Sequence, residues 1–148
     1  MTDFHYYCPI EVRYGDLDPQ GHVNNARFLT YFEQARISYV INLNLWDGRS
    51  YFDIGFILAD AQVTFLGPVL FGQKIHVGVR VTRLGNKSLA MEYTLEDIKA
   101  DQQLARGSTA LVTYDYHQGR TIPIPDHWRQ KIADFEGLNF SNQSKENT

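Results

Sequence analysis

Between Asn25 and Asn44 the apolar positions Phe28, Phe32, Ala35, Tyr39 and Leu43 recur at spacings of three and four, while Arg27, Thr30, Gln34 and Ser38 fall opposite. That period predicts one long amphipathic helix. Asn24 stands where its side-chain oxygen could accept from the first-turn N–H groups, as an N-cap does. Further on the period drops to 2. Ile57, Ala59, Ala61, Val63 and Phe65 share one face of a predicted strand that Gly67-Pro68 ends, and Ile75, Val77, Val79 and Val81 share a face of the next. Leu89, Met91, Tyr93 and Leu95 mark a third run, and 104–116, rich in Thr, Val and Tyr, a fourth.

Ahead of the helix, 8–14 alternates weakly into a cluster of Gly15, Asp16, Asp18, Pro19 and Gly21, which predicts a short strand ending in a turn. Gly85-Asn86 and Ala100-Asp101-Gln102 mark tight turns, and short connections make antiparallel neighbours. The segment 123–135 predicts a short C-terminal helix with Pro125 near its start and Asp126 as cap, and the polar stretch 141–148 a frayed tail. The expectation is an α+β domain over 1–140, one long helix against a five-stranded antiparallel sheet. The last strand is apolar on both faces: Leu104, Ala110, Val112, Tyr114 and Tyr116 alternate with Ala105, Thr109, Leu111 and Thr113. One face for the helix and one for another subunit would account for this, so a homo-oligomer is expected.

A chain of 148 residues suits one domain, able to bury roughly 68–70% of its unfolded surface. A net charge of −3 with both signs interspersed gives no basic field for nucleic acid. Cys8 is the single cysteine, which excludes an intramolecular disulfide and a Cys-based metal cluster. With no cationic leader and no run approaching the ~20 apolar residues of a membrane span, the chain reads as soluble and cytoplasmic, without a membrane partner. His5, His22, His76, His117 and His127 show no ligand-type spacing, so no metal is expected.

The candidate chemistry lies where the turn meets the helix. A helix start leaves backbone N–H groups unpaired and carries partial positive charge, so an oxyanion is stabilised there. Asp18 and His22 lie just upstream of such a start, with Gly21 in the turn between them.

The segment Tyr14-Gly15-Asp16-Leu17-Asp18-Pro19-Gln20-Gly21-His22-Val23-Asn24-Asn25-Ala26-Arg27-Phe28 resembles the active-site segment of the 4-hydroxybenzoyl-CoA thioesterase family of the hotdog-fold superfamily. His-Val-Asn-Asn-Ala-Arg is similar to its acyl-CoA thioesterase members, and Phe65-Leu66-Gly67-Pro68 with Phe71-Gly72 extends the likeness. The resemblance implies a sheet wrapped around a central helix, protomers joined into dimers or tetramers, and active sites between protomers. It implies hydrolysis of an acyl or aroyl thioester to a carboxylic acid and coenzyme A, with no cofactor beyond the CoA of the substrate. The family's Gly-Asp-x-Asp-Pro aspartate falls on Asp18, as general base or nucleophile, and its carbonyl-polarising N–H on Asn25. His22 would assist or position. Gly21 and Asn24 fall within the same substrate-binding segment, and Arg83, Lys87 and Ser88 about the Gly85-Asn86 turn resemble the surface that holds the nucleotide, with Arg106 on a nearby run.

Each residue also has a plainer role. Asp18-Pro19 could be an ordinary turn, Asn24 and Asn25 helix caps, and the 83–88 cations a solvated turn. Asp16, two residues from Asp18, could share its face and raise its pKa, or hold the loop by local hydrogen bonds. Glu33 and Arg36 most simply pair on the helix flank, with Glu33 a reserve carboxylate and Asp60 a weaker one. Tyr31, Phe56 and Tyr93 are candidates for an acyl channel. Two rival functions remain: a carrier-protein thioesterase, and an acyl-CoA-binding module without catalysis.

Overall fold

The computed structural model describes residues 4–137, so the 141–148 tail lies outside the described residues. Strand β1 spans Tyr6–Ile10, helix α1 Asn25–Asn42, β2 Phe56–Phe65, β3 Ile75–Leu84, β4 Ser88–Asp97, β5 Gln102–Asp115, β6 Arg120–Thr121 and α2 Asp126–Glu136. The hydrogen-bonded order is β1-β3-β4-β5-β2, with β6 pairing β5. The five expected strands are present, and β6 adds a two-residue sixth in which Tyr114 pairs with Thr121 and Asp115 with Arg120.

The β1 boundary differs from the sequence expectation. Pairing starts at Tyr6 against Val79 and ends at Ile10 against Ile75, and Tyr14–Asp16 is a 3-10 turn. Pro9 is tolerated because β1 ends the strand order, where a missing N–H costs no inner ladder bond. At α2, Asp126 is the first helical residue and Pro125 occupies the N-cap with no side-chain bond, which corrects the expected Asp126 cap.

Helix α1 forms as its period dictates. Phe28, Phe32, Ala35 and Tyr39 are at most 2% exposed, and burying each large ring stabilises the fold by about 1.5–3 kcal/mol. Asn24 accepts from the Ala26 amide at 2.9 Å, satisfying one first-turn donor. Two contact clusters divide the described chain: 4–39 with 62–79 and 93–107, and 40–61 with 80–92 and 108–137. In the first, Phe32 stacks on Tyr93 at 4.8 Å between centroids and Phe28 meets Phe65 edge-on at 5.0 Å. Gly107 allows that approach, since a Cβ there would collide with the Phe32 ring and lie 2.9 Å from the Gln62 carbonyl. In the second, Trp128 and Ile132 of α2 are buried, and Trp128 packs edge-on to Phe56.

β2 departs furthest from expectation. Of its predicted inner face only Ala61 and Val63 are half-buried, while Ile57, Ala59 and Phe65 are exposed. Standing last in the strand order, β2 has a bonded neighbour on one side only, and its alternation is not matched by cover within the chain. On β5, Thr109, Leu111 and Thr113 are buried, and Ala110, Val112 and Tyr114 are half-buried, as is Tyr116 just beyond its end. The larger open apolar surface is therefore on β2.

Candidate active site

A tight turn ahead of α1 builds the site. Gly21 donates its amide to the Asp18 carbonyl at 3.0 Å, and the Asp18 amide reaches the His22 carbonyl at 2.7 Å. Gly21 sits at φ +81°, the left-handed region that glycine enters without a Cβ clash. Asp18 Oδ1 accepts from the amides of Gln20 at 2.9 Å and His22 at 3.2 Å. The plain turn role of Asp18 is thus real, and it occupies one oxygen. Oδ2 takes no partner among the described residues. The other end of the turn is fixed as well: the Val23 amide donates to the Val69 carbonyl at 2.8 Å, and His22 bridges Leu70.

A cavity of about 440 Å³ opens beside this turn, lined by Asp18, Gln20, His22, Val23, Asn25, Phe28 and 65–68. It brings Asp18, His22 and Asn25 together. Asn25 opens α1, so its N–H has no acceptor inside the helix, whereas the Arg27 amide is bonded to the Asn24 carbonyl at 2.8 Å. Along the wall, Phe28 and Phe65 give an apolar side and Asp18, Gln20 and His22 a polar one. The amides of Leu66 and Gly67 both donate to the Leu104 carbonyl, holding that wall on the sheet.

Gly21 and Asn24 belong to the turn and cap and do not line the cavity. Arg83, Lys87 and Ser88 stand in the other contact cluster and do not line it either. Their turn is closed by the Gly85 amide on the Ser88 carbonyl at 2.7 Å, and Lys87 is exposed. Asp60 is exposed on β2. Glu33 pairs with the buried Arg36 at 3.6 Å, as the helix spacing predicts. Among the described residues no group of three or more His, Cys, Asp or Glu is placed to hold a metal ion, and no helix is long and apolar enough to cross a membrane.

Of the two readings of Asp16, the one found is that it holds the loop: it is 1% exposed and points inward, accepting from the Arg13 amide at 3.0 Å and the Tyr31 hydroxyl at 2.7 Å. Burial pushes its carboxyl up, but those two donors and the Arg13 and Arg27 guanidiniums outweigh it and hold the group below the usual carboxylate range. Tyr31, Phe56 and Tyr93 form no acyl channel; all three are core residues, because the hydroxyls of Tyr31 and Tyr93 find partners in Asp16 and Arg36 and Phe56 packs on Trp128. Sequence reasoning had singled out neither Gln20 nor Phe28 as a wall of the site. The Phe65-to-Pro68 break was visible as a strand end, though not as a cavity lining.

The Thioesterase-like superfamily model matches residues 12–132, from just after β1 into α2. The chain belongs to this superfamily. Its α+β architecture is the hotdog fold, and its class of chemistry is thioester hydrolysis. A crystal structure of a thioesterase from Thermus thermophilus, complexed with coenzyme A and zinc, is 37% identical with a TM-score of 0.81, covering 94% of this chain and 100% of that one. The long-chain acyl-CoA thioesterase FadM of Escherichia coli is 26% identical over 83% of this chain and 93% of its own. A 1,4-dihydroxy-2-naphthoyl-CoA hydrolase of Synechocystis is 25% identical over 85% of this chain and 93% of its own. This thioesterase therefore has relatives whose names span long aliphatic and fused aromatic acyl groups.

Proposed function

We propose that this thioesterase hydrolyses acyl-CoA thioesters to a carboxylic acid and free CoA at the cavity beside the Asp18 turn. The observation that carries this reading is the pairing, in one cavity, of a carboxylate with one unbonded oxygen and the first amide of α1. A thioester carbonyl becomes tetrahedral and anionic on attack, and the Asn25 N–H, reinforced by the helix start, is the donor for that oxygen. Asp18 then draws a proton from water as general base, the attacking hydroxide displacing the CoA thiolate, or attacks the carbonyl itself, expelling that thiolate to give an anhydride that water cleaves. Two amides on Oδ1 fix the carboxylate, so Oδ2 is the reacting atom. His22 stands at the cavity wall to orient the thioester.

The relatives' names and the coenzyme A in the Thermus thermophilus structure support CoA as the thiol. Arg83, Lys87 and Ser88 are assigned to its phosphates, where the exposed Lys87 ammonium is open to an anion. The reaction needs no metal or redox group in this scheme. The two contact clusters are taken as one domain, since α1, β2, β3, β4 and β5 each run through both. The uncovered apolar β2, with Leu58 and Phe65 nearly half exposed, supports a homo-oligomer.

Thiol release measured over short, long and aromatic acyl-CoAs tests the reading, with Asp18→Asn as control. Release by the native protein and its loss in the variant are expected. Release that survives in Asp18→Asn sinks it, and tight binding without release by the native protein favours the non-catalytic module.

A further inference from the structure

Asp16 is a buried carboxylate that the proposed reaction does not use. It is 1% exposed, and it does not line the cavity. Taking an ionised carboxylate out of water is costly unless donors replace the lost hydration. Here the donors come from both sides of the Asp18 turn. Arg13, before the turn, gives its amide at 3.0 Å and its guanidinium at 3.5 Å. Tyr31, in the second turn of α1, gives its hydroxyl at 2.7 Å, and the Arg27 guanidinium stands at 3.7 Å.

The main chain repeats the same link. The Asp16 carbonyl accepts the Asn24 amide at 2.8 Å, immediately before Asn25. Asp16 thus grips α1 twice, once through its backbone at the cap and once through its side chain about two turns further on. The loop closed by the backbone grip, 16–24, carries Asp18, and the helix that both grips hold begins with the Asn25 amide. Whatever fixes Asp16 against α1 fixes the separation of the base from the donor.

We propose that Asp16 and Tyr31 act as a positioning pair for thioester hydrolysis, holding the start of α1 in register with the Asp18 turn without touching substrate. This rests on the assignment of Asp18 and Asn25 above. A pair kept only for stability has a simpler alternative, since apolar side chains of similar volume often serve a core as well as a buried ionic group. A charge-assisted hydrogen bond adds direction, which a greasy contact lacks. Catalytic geometry is sensitive to such direction, because a misplacement of about 1 Å can cost on the order of a hundredfold in rate.

The decisive variant is Tyr31→Phe, which removes one oxygen from a packed ring and leaves its shape. With acyl-CoA substrates and thiol release as readout, kcat falls about tenfold while KM stays within about twofold, as expected of geometry lost only in the transition state. The acid limb of kcat/KM moves to higher pH, because Asp16 loses a donor that favours its ionised form. Asp16→Asn combined with Tyr31→Phe is no slower than the worse single variant, since the two residues act as a unit. Unchanged kcat and an unmoved acid limb in Tyr31→Phe overturn the proposal, as does a lowered melting temperature with kcat per folded molecule intact. Asp18→Asn run alongside separates the two readings. If it remains active, the site assignment falls and this pair with it; if it is dead while Tyr31→Phe matches the native protein, only the positioning pair falls.

Discussion

Two turns, one at 18–21 and one at 85–88, each contain a glycine and differ in how their hydrogen bonds are spent. In the second, every carbonyl is claimed. Arg129 donates to Gly85 at 2.6 Å and Asn86 at 3.2 Å, the Ile124 amide also reaches Asn86, Thr113 reaches Lys87, and the Gly85 amide closes on Ser88. In the first, hydrogen bonds fix the backbone and one carboxylate oxygen, and they stop short of Oδ2 beside a cavity. A turn with every carbonyl satisfied offers a ligand only its side chains. A turn that spends its hydrogen bonds on rigidity and leaves a carboxylate oxygen over beside a cavity has the makings of a reactive centre.

The sharpest way to break this contrast is to remove the spare oxygen. Asp18→Asn keeps the size and the Oδ1 acceptor, and the loss expected for a displaced base is about 10²–10⁴-fold in kcat, read by thiol release. The complementary change strikes the satisfied turn. Arg129→Ala strips the Gly85 carbonyl of its donor, takes one of two from Asn86, and lowers stability by about 1–3 kcal/mol in urea titration, with kcat per folded molecule unchanged. The lower end is expected, since Arg129 Nη1 is itself buried without a partner and already weakens the arrangement.

Smaller effects refine the comparison. Lys87 is the exposed cation of the satisfied turn, and Lys87→Ala raises KM for an acyl-CoA by about two- to fivefold, the scale of an exposed ion pair. A short thioester lacking the nucleotide shows no change if Lys87 serves the phosphates. The least effect is at the His117–Asp53 pair, 2.7 Å long and exposed. The Asp53 hydrogen bond, with the Asp53 and Asp115 charges, lifts the His117 pKa above its ordinary value against the opposing effect of desolvation. A pKa raised on folding gives a contribution that is complete below ~6.5 and lost as pH rises through the folded value. Titration of His117 by NMR, before and after Asp53→Asn, checks the sign: the variant returns the midpoint toward the ordinary value.

Local order was legible from the chain. The helix followed from Phe28, Phe32, Ala35 and Tyr39, because burial on one face and a 3.6-residue period are the same fact seen twice. The Asp18 turn followed from its glycines and Asp-Pro pair. What stayed hidden depends on contacts remote in sequence. Nothing near Tyr31 signals a bond to a carboxylate fifteen residues earlier, so an amphipathic ring was read as a pocket wall when its hydroxyl had an internal partner. The alternation of Asp16 and Asp18 suggested a shared face, and the 3-10 turn at 14–16 rotated the first inward. β2 has the pattern of a covered strand, but cover depends on strand order, which periodicity does not encode.

The donor assigned to the reacting carbonyl belongs to the peptide bond and not to any side chain. Nineteen of the genetically encoded residues would supply the same N–H at position 25, so mutation of the codon is nearly silent for that contact. Proline is the exception: it lacks the hydrogen and is well tolerated at the first position of a helix. A single codon change to proline there would delete one atom of chemistry while sparing the coil, an unusually clean knockout built into where the helix begins.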